Sequence, residues 1–169
     1  MDRGRPEGDI RTVTTERGPN IRFPPPAVYV ALFLVGLILE RFWRIPIVGD
    51  VRAPLLSIFG LALVGLGVFV TAWGMLTFRR YKTSILPIRP AAALAMTGPY
   101  RFTRNPMYLG LTTTHVGAAL AMNAGWPLIL LPVALYVIIR FVIRVEEEYL
   151  GKRFGIEYED FKRRVRRWL

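Results

Sequence analysis

"PLLSIFGLALVGLGVFVTAWGMLTF", residues 54 to 78, runs for 25 residues without a charge. A helix needs about 20 predominantly apolar residues to cross roughly 30 Å of hydrocarbon, so this stretch is long enough to span a bilayer. Three further runs, Pro24 to Trp43, Pro106 to Met122 and Trp126 to Ile143, hold 20, 17 and 18 residues. The first ends on Glu40 and Arg41 and the last contains Arg140. Both reach spanning length only if those charges extend toward the headgroups. The 169-residue chain is 53% hydrophobic with positive mean hydropathy, too apolar for an ordinary soluble domain. The expected fold is an all-α integral membrane protein with about four transmembrane helices, followed by a C-terminal amphipathic helix at the membrane interface.

Three regions follow from this patterning. Residues 1–23 hold charges, Gly and Pro with almost no apolar content, too little to offset the entropy of folding; a disordered cytoplasmic tail is expected. Residues 24–145 form the transmembrane domain, and residues 146–169 the C-terminal interfacial helix. The start lacks the short apolar core of a cleaved signal peptide, so the first run is expected to be retained. The absence of cysteine rules out disulfides, thiolate-ligated zinc, iron–sulfur clusters and cysteine nucleophiles. With His115 the sole histidine, no metal site is expected.

The formal charge of +11 is unevenly placed, and 20 of the 23 Lys and Arg residues fall in the tail, the connection after the second run, and the segment from Arg140 onward. Positive residues favour the cytoplasmic side, which predicts four spans of an inner or cell membrane with both termini and the second connection in the cytoplasm. The basic C-terminus then meets anionic headgroups rather than nucleic acid. Oligomeric state is open.

Within the second run Ser57, Gly60, Val64, Gly67, Thr71 and Gly74 recur every three or four residues, a small-residue face for close helix packing. The alternative is that Gly65 to Gly67 makes room for a cofactor. The connection from Arg79 to Thr97 is long and partly apolar, as a lid or re-entrant segment would be. In the last segment Leu150, Phe154, Tyr158, Phe161, Val165 and Trp168 form one apolar stripe opposite a basic face, with a bend expected near Gly151 or Gly155.

Three places carry potential chemistry. Asn105-Pro106 pairs a preferred N-cap residue with a preferred first helical residue. The helix start, flanked by Arg101 and Arg104, is either an anion site or simply a capped end with snorkelling arginines. Tyr108 lies one turn inside that helix, and His115 lies seven residues further on about the same face. His115 is either a pocket residue and proton acceptor, or a neutral histidine bonded to a neighbouring helix. Glu146, Glu147 and Glu148 follow Arg140 and Arg144 at the exit of the fourth run; they either receive a cationic guest or balance the neighbouring basic charges.

"GPYRFTRNPMYLG" (98–110), followed after another hydrophobic span by "EEEYLGKRFGIEYEDFKRRVRRWL" (146–169), closely resembles the isoprenylcysteine carboxyl methyltransferase family and its bacterial relatives, and is similar to phospholipid N-methyltransferases. The resemblance runs from about Lys82 to Leu169. It implies a multi-span enzyme that binds S-adenosylmethionine at its cytoplasmic side and methylates a lipidic substrate from the bilayer. The Arg-His-Pro-x-Tyr motif falls on Arg104, Asn105, Pro106 and Tyr108, with Asn where the carboxyl methyltransferases have His; the phospholipid enzymes have Asn-Pro-Met-Tyr. The Glu-Glu pair falls on Glu146 and Glu147, and Phe-Gly-x-x-Tyr on Phe154, Gly155 and Tyr158. Residues and resemblance together give a candidate catalytic set of Arg104, Asn105 and Tyr108, with His115 added from its intramembrane position, and candidate cofactor contacts at Gly98, Tyr100, Arg104, Asn105, Tyr108, Glu146, Glu147 and Tyr158. A Gly-x-Gly of the phospholipid enzymes corresponds loosely to Gly65 and Gly67. The donor's ammonium suits Glu146 or Glu147, and its carboxylate suits Arg104 or the helix start. The rival readings are a phospholipid N-methyltransferase specifically, and a non-catalytic or transport protein of the same architecture.

Overall fold

The computed structural model describes residues 18–19, 21, 23–49, 52–81 and 93–169. The tail before residue 18 and the 82–92 part of the expected lid lie outside these residues. The helices are α1 (Pro25–Phe42), α2 (Ala53–Arg80), α3 (Pro106–Ala121), α4 (Gly125–Ile138), α5 (Arg144–Phe154) and α6 (Ile156–Arg164). A 3-10 turn, Gly98–Arg101, precedes α3, and a π-helical turn, Ile139–Ile143, joins α4 to α5 without a break.

Residue placement in α2 inverts that of a soluble helix. Its buried residues are Gly60, Gly67, Gly74 and Thr77, while Leu55, Ile58, Phe59, Leu61, Phe69 and Leu76 are all more than half exposed. Lipid is the solvent that makes this arrangement favourable. Three helices are long and apolar enough to cross a membrane: α1, α2 and the continuous Gly125–Phe154 rod. The fourth expected span, α3, has only 16 residues, about 24 Å at 1.5 Å per residue. It begins at Pro106 as the Asn-Pro pair predicts and ends where the apolar run does, the chain turning at Met122 and Asn123, the latter at φ +49°.

Helices α2 and α3 run antiparallel along a seam of small residues. A Cβ on Gly67 would lie 2.5 Å from the Gly110 carbonyl oxygen, and one on Gly117 would lie 2.7 Å from the Gly60 oxygen. Gly65 has open space around it. Gly67 is therefore taken up by helix packing, as the small-residue face predicts, whereas Gly65 is not. Gly67→Val is expected to force the backbones apart and cost more than about 2 kcal/mol, in the range of overpacked cores. Gly65→Ala should melt at or slightly above the wild-type temperature, since Ala favours a helix. Thermal melts in detergent compare the two directly.

At the end of the bundle away from Pro106, the short connections are stitched together. Asn123 Oδ1 accepts from Ile47 and Val48 N–H at 2.9 and 3.1 Å, and Gly125 N–H donates to Ile45 O at 2.9 Å. Glu40 accepts from Ile45 N–H at 2.7 Å and from Trp126 N–H at 3.2 Å. It caps the start of α4 and does not simply reach for headgroups. The opposite end gathers the start of α1, the end of α2, the start of α3 and the exit of the Gly125–Phe154 rod.

Two expectations need correction at that end. The segment before α1 is not a tail throughout, because Pro19 and Ile21 are buried and Ile21 packs with Tyr29, Tyr108 and Val142. The last segment is not one helix. Gly155, at φ +53°, breaks it, and after Arg164 the chain turns extended at Val165. The stripe residues Tyr158 and Phe161 are 2% and 4% exposed, covered by Leu94, Ala95 and Tyr100. Trp168 leaves that stripe and packs against the cluster around Tyr108.

Candidate active site

The start of α3 and the start of α5 face one another. Tyr108, one turn into α3 and 7% exposed, donates its hydroxyl to Glu146 Oε1 at 2.8 Å. The α-helical spacing that makes Glu146 and Glu147 neighbours also turns them in different directions. Glu147 receives two guanidinium groups: Arg167 donates from Nε at 3.0 Å and from Nη2 at 2.6 Å, one to each carboxylate oxygen, and Arg104 Nη1 lies 3.0 Å from Oε1. The fork-to-fork pairing with Arg167 is the stronger geometry, and the carboxylate holds the Arg167 guanidinium above its ordinary pKa.

A C-terminal strap, Val165 to Leu169, closes over this cluster. Arg104 N–H donates to Arg166 O at 3.0 Å, Thr103 Oγ1 to Arg167 O at 3.0 Å, and Asn105 Nδ2 to Arg167 O at 3.1 Å. Asn105 thus stands at the N-cap position but makes no side-chain cap hydrogen bond. Its amide faces the strap instead. The helix start is accordingly approached by backbone carbonyls.

The 3-10 turn supplies the remaining wall. Gly98 takes φ +60°, and a Cβ there would lie 2.8 Å from Thr77 Oγ1, so glycine is required for the turn to approach α2. Tyr100 stacks on Phe78, rings 5.1 Å apart and 7° from parallel. Its phenol is pushed above its ordinary pKa, first by burial and then by the charge of Glu146. Tyr158 of α6 is pushed up to about 12, mainly by burial and secondarily by Glu147, against a lowering by Arg104. Both phenols are therefore neutral at physiological pH.

Three buried polar atoms have no hydrogen-bond partner among the described residues: Tyr100 Oη, Arg104 Nε and Arg104 Nη1. Nη1 is close enough to Glu147 for an ion pair but not aligned as a hydrogen bond. Unsatisfied buried donors are costly and rare. Tyr100 is near enough to Glu146 to feel its charge, Arg104 stands at the adjacent Glu147, and the partner of Glu146 among the described residues is a neutral hydroxyl. The cluster offers donors for a carboxylate and a carboxyl group for a cation, the complement of an amino-acid zwitterion.

The structure brings Tyr100, Arg104, Asn105, Tyr108, Glu146, Glu147 and Tyr158 to one end of the bundle. His115 is elsewhere. It lies two turns along α3, about 10 Å from Tyr108 by helical rise, with Nε2 2.9 Å from Pro127 O and its ring edge-on to Phe33 at 5.0 Å. That is the histidine bonded to a neighbouring helix, and it does not join the cluster. Arg167 was not singled out by the sequence: nothing distinguishes it from Arg163, Arg164 and Arg166 until the strap is seen.

The chain matches the phospholipid methyltransferase family over residues 55–157. It is 30% identical over 118 residues to the Protein-S-isoprenylcysteine O-methyltransferase of Saccharomyces cerevisiae, covering 69% of this chain and 49% of that protein. It is 29% identical over 112 residues to Protein-S-isoprenylcysteine O-methyltransferase B of Arabidopsis thaliana, covering 65% of this chain and 57% of that protein. The chain thus spans about half the length of these curated relatives. No solved structure matches it at the same stringency. The matched stretch contains Tyr100, Arg104, Tyr108, Glu146 and Glu147, and on its extent the chain belongs to the phospholipid methyltransferase family.

Proposed function

We propose that the protein transfers a methyl group from S-adenosylmethionine to a lipidic acceptor held in the membrane, at the cytoplasmic end of the bundle. The observation that carries this reading is the Glu146 carboxyl, bonded to the neutral Tyr108 hydroxyl, near a Tyr100 hydroxyl that has no hydrogen-bond partner among the described residues, with the guanidinium of Arg104 at the adjacent Glu147. Glu146 suits the donor's ammonium, while Arg104 and Tyr100 suit its carboxylate. Bound S-adenosylmethionine supplies an electrophilic methyl group on a positively charged sulfur. The residues need not form a covalent intermediate. They align the donor, and the strap and the Tyr100–Phe78 stack keep water from competing, so catalysis rests on orientation and exclusion.

The acceptor is a carboxylate or an amine. The relatives named as isoprenylcysteine O-methyltransferases support the former. Asn105 and the phospholipid methyltransferase match support the latter. A carboxylate is already nucleophilic, whereas an ammonium lipid must first give up a proton. Glu146, if its charge holds the donor's ammonium, is not free to take that proton, and His115 lies about 10 Å from Tyr108 by helical rise. The basic strap and tail suit an anionic cytoplasmic leaflet.

Purified protein with S-adenosylmethionine at 100 times its dissociation constant should be stabilised by about 2.7 kcal/mol, read as a thermal shift. Methyl-labelled donor incubated with total membrane lipid should then give a labelled lipid, base-labile if it is an ester and base-stable if it is an amine. Absence of both the shift and the labelled lipid sinks the enzymatic reading and leaves the non-catalytic one.

A further inference from the structure

The Gly125–Phe154 rod presents one unbroken stripe to its outer side. Ile129, Val133 and Tyr136 are 52%, 47% and 64% exposed, and Arg140 and Arg144 are exposed on the next two turns. Steps of four, three, four and four residues place them on one face. The π-helical turn fixes which way that face looks. Its adjacent Val142 and Ile143 are both fully buried, so its other side, with Arg140 and Phe141, is turned away from the bundle. Arg140 Cζ lies 5.9 Å from the centre of the Phe141 ring, a cation–π distance that keeps the guanidinium beside its own turn.

Neither arginine has a carboxylate partner among the described residues, although three glutamates follow directly. Glu147 is held by Arg104 and Arg167, Glu148 by Lys152, and Glu146 accepts from Tyr108. The acids at the rod's exit therefore do not balance Arg140 and Arg144. Intramembrane charges ordinarily face a protein interior or a partner charge, and these two face the bilayer instead. Their depth points to the anion that meets them. Arg140 and Arg144 lie 15 and 19 residues beyond Gly125, or about 22 and 28 Å along the rod at 1.5 Å per residue, against roughly 30 Å of hydrocarbon. Both guanidinium groups thus reach the level at which lipid phosphates begin, with the apolar part of the stripe beneath them at the depth of the acyl chains.

We propose that this stripe is a binding site for one phospholipid molecule: its phosphate is held between Arg140 and Arg144, and its acyl chains lie along Tyr136, Val133 and Ile129. An arginine pair suits a phosphate because each planar guanidinium offers two parallel donors to its oxygens. The ligand class is a diacyl lipid with a phosphodiester, whatever alcohol it carries. The site is separate from the methyl-transfer centre, since Glu146, two residues beyond Arg144, turns into the bundle to Tyr108. It stands whether or not the protein is an enzyme, so the two readings fail independently.

The test strips lipid from the whole chain in detergent and returns defined probes: phosphatidylglycerol, phosphatidylethanolamine, a diacylglycerol glucoside with the same tails, and inorganic phosphate. Native mass spectrometry reads the retained lipid, and a thermal melt reads folding. The wild type should retain one molecule of either phospholipid and at least tenfold less of the glucoside. Arg140→Gln with Arg144→Gln should weaken retention of both phospholipids at least tenfold. Arg140→Lys, which keeps the charge and loses the fork, should weaken it by less and gives a readable variant if the double change fails to fold. Arg163→Gln with Arg164→Gln removes the same charge from the last turn of α6 and should change nothing, which separates a site from attraction to a basic surface. Inorganic phosphate in large excess should not displace the phospholipid; if it does, the ligand is a soluble anion and the proposal falls. It falls equally if the folded Arg140 and Arg144 variants retain phospholipid like the wild type, if the control pair loses it as fully, or if the glucoside binds as well.

Discussion

Glu146→Gln is expected to lower affinity for S-adenosylmethionine about 30-fold without lowering the melting temperature. Glutamine keeps the size of the side chain and a carbonyl oxygen for the Tyr108 hydroxyl, which the wild-type Glu146 accepts at 2.8 Å. It removes only the negative charge. A hydrogen bond to a charged group contributes about 1.5–3 kcal/mol, and about 2 kcal/mol corresponds to the stated factor. Tyr108→Phe is the complementary change: the charge stays but loses the hydroxyl that orients it, so turnover should fall more than affinity. Calorimetry with donor and saturation kinetics with acceptor separate the two. Wild-type affinity in Glu146→Gln would mean that the donor's cation sits elsewhere and would remove the principal assignment of the site.

The helical bundle was legible because membrane burial writes itself into composition. The charge-free run from 54 to 78 leaves no other home for α2, and Asn105-Pro106 marked the start of α3 to the residue. The small-residue face of α2 was equally readable, since Gly60, Gly67 and Gly74 repeat every seven residues and meet α3. The end of α3 was readable too: the run closes at Met122, which is the C-cap of the helix. What the run could not show is what holds the turn, the bonds from Ile47 and Val48 to Asn123.

The candidate site was readable as a list of residues but not as a set of partners. Arg104 and Glu147 are 43 positions apart in sequence, and each was expected to serve the donor. In the fold Arg104 Nη1 already lies against Glu147, so part of each charge is spent on the other. The strap was invisible because the apolar stripe from Leu150 to Trp168 extrapolates smoothly as a helix. The chain leaves that helix at Val165 because Thr103, Arg104 and Asn105 offer three donors to the carbonyls of Arg166 and Arg167. Such tertiary hydrogen bonds have no local signature. His115 illustrates the reverse error: an intramembrane histidine invites a functional reading, yet the Pro127 carbonyl satisfies it.

Glu147→Ala should cost both folding and binding. Its two carboxylate oxygens are occupied by Arg167 and Arg104, whose side chains are 35% and 12% exposed. Removing the shared anion leaves two cations facing one another. A fully buried pair so broken costs about 3–5 kcal/mol, and partial exposure of Arg167 lowers the expectation to about 2 kcal/mol. For a chain of this length that is a fall of about 4–8 °C in melting temperature. Because Glu147 also anchors the strap, its loss should expose residues after Val165 to carboxypeptidase. Arg167→Ala isolates the anchoring role, since Glu147 then keeps Arg104 but the strap loses its ion pair. If Glu147 acts by holding the strap over the donor, both variants lose donor affinity in step with strap protection. If Glu147 instead receives the donor's ammonium directly, Arg167→Ala frees one carboxylate oxygen and raises affinity while Glu147→Ala abolishes it. The bidentate pairing favours the first outcome, because a carboxylate already holding two guanidinium groups has little charge left to offer a third cation.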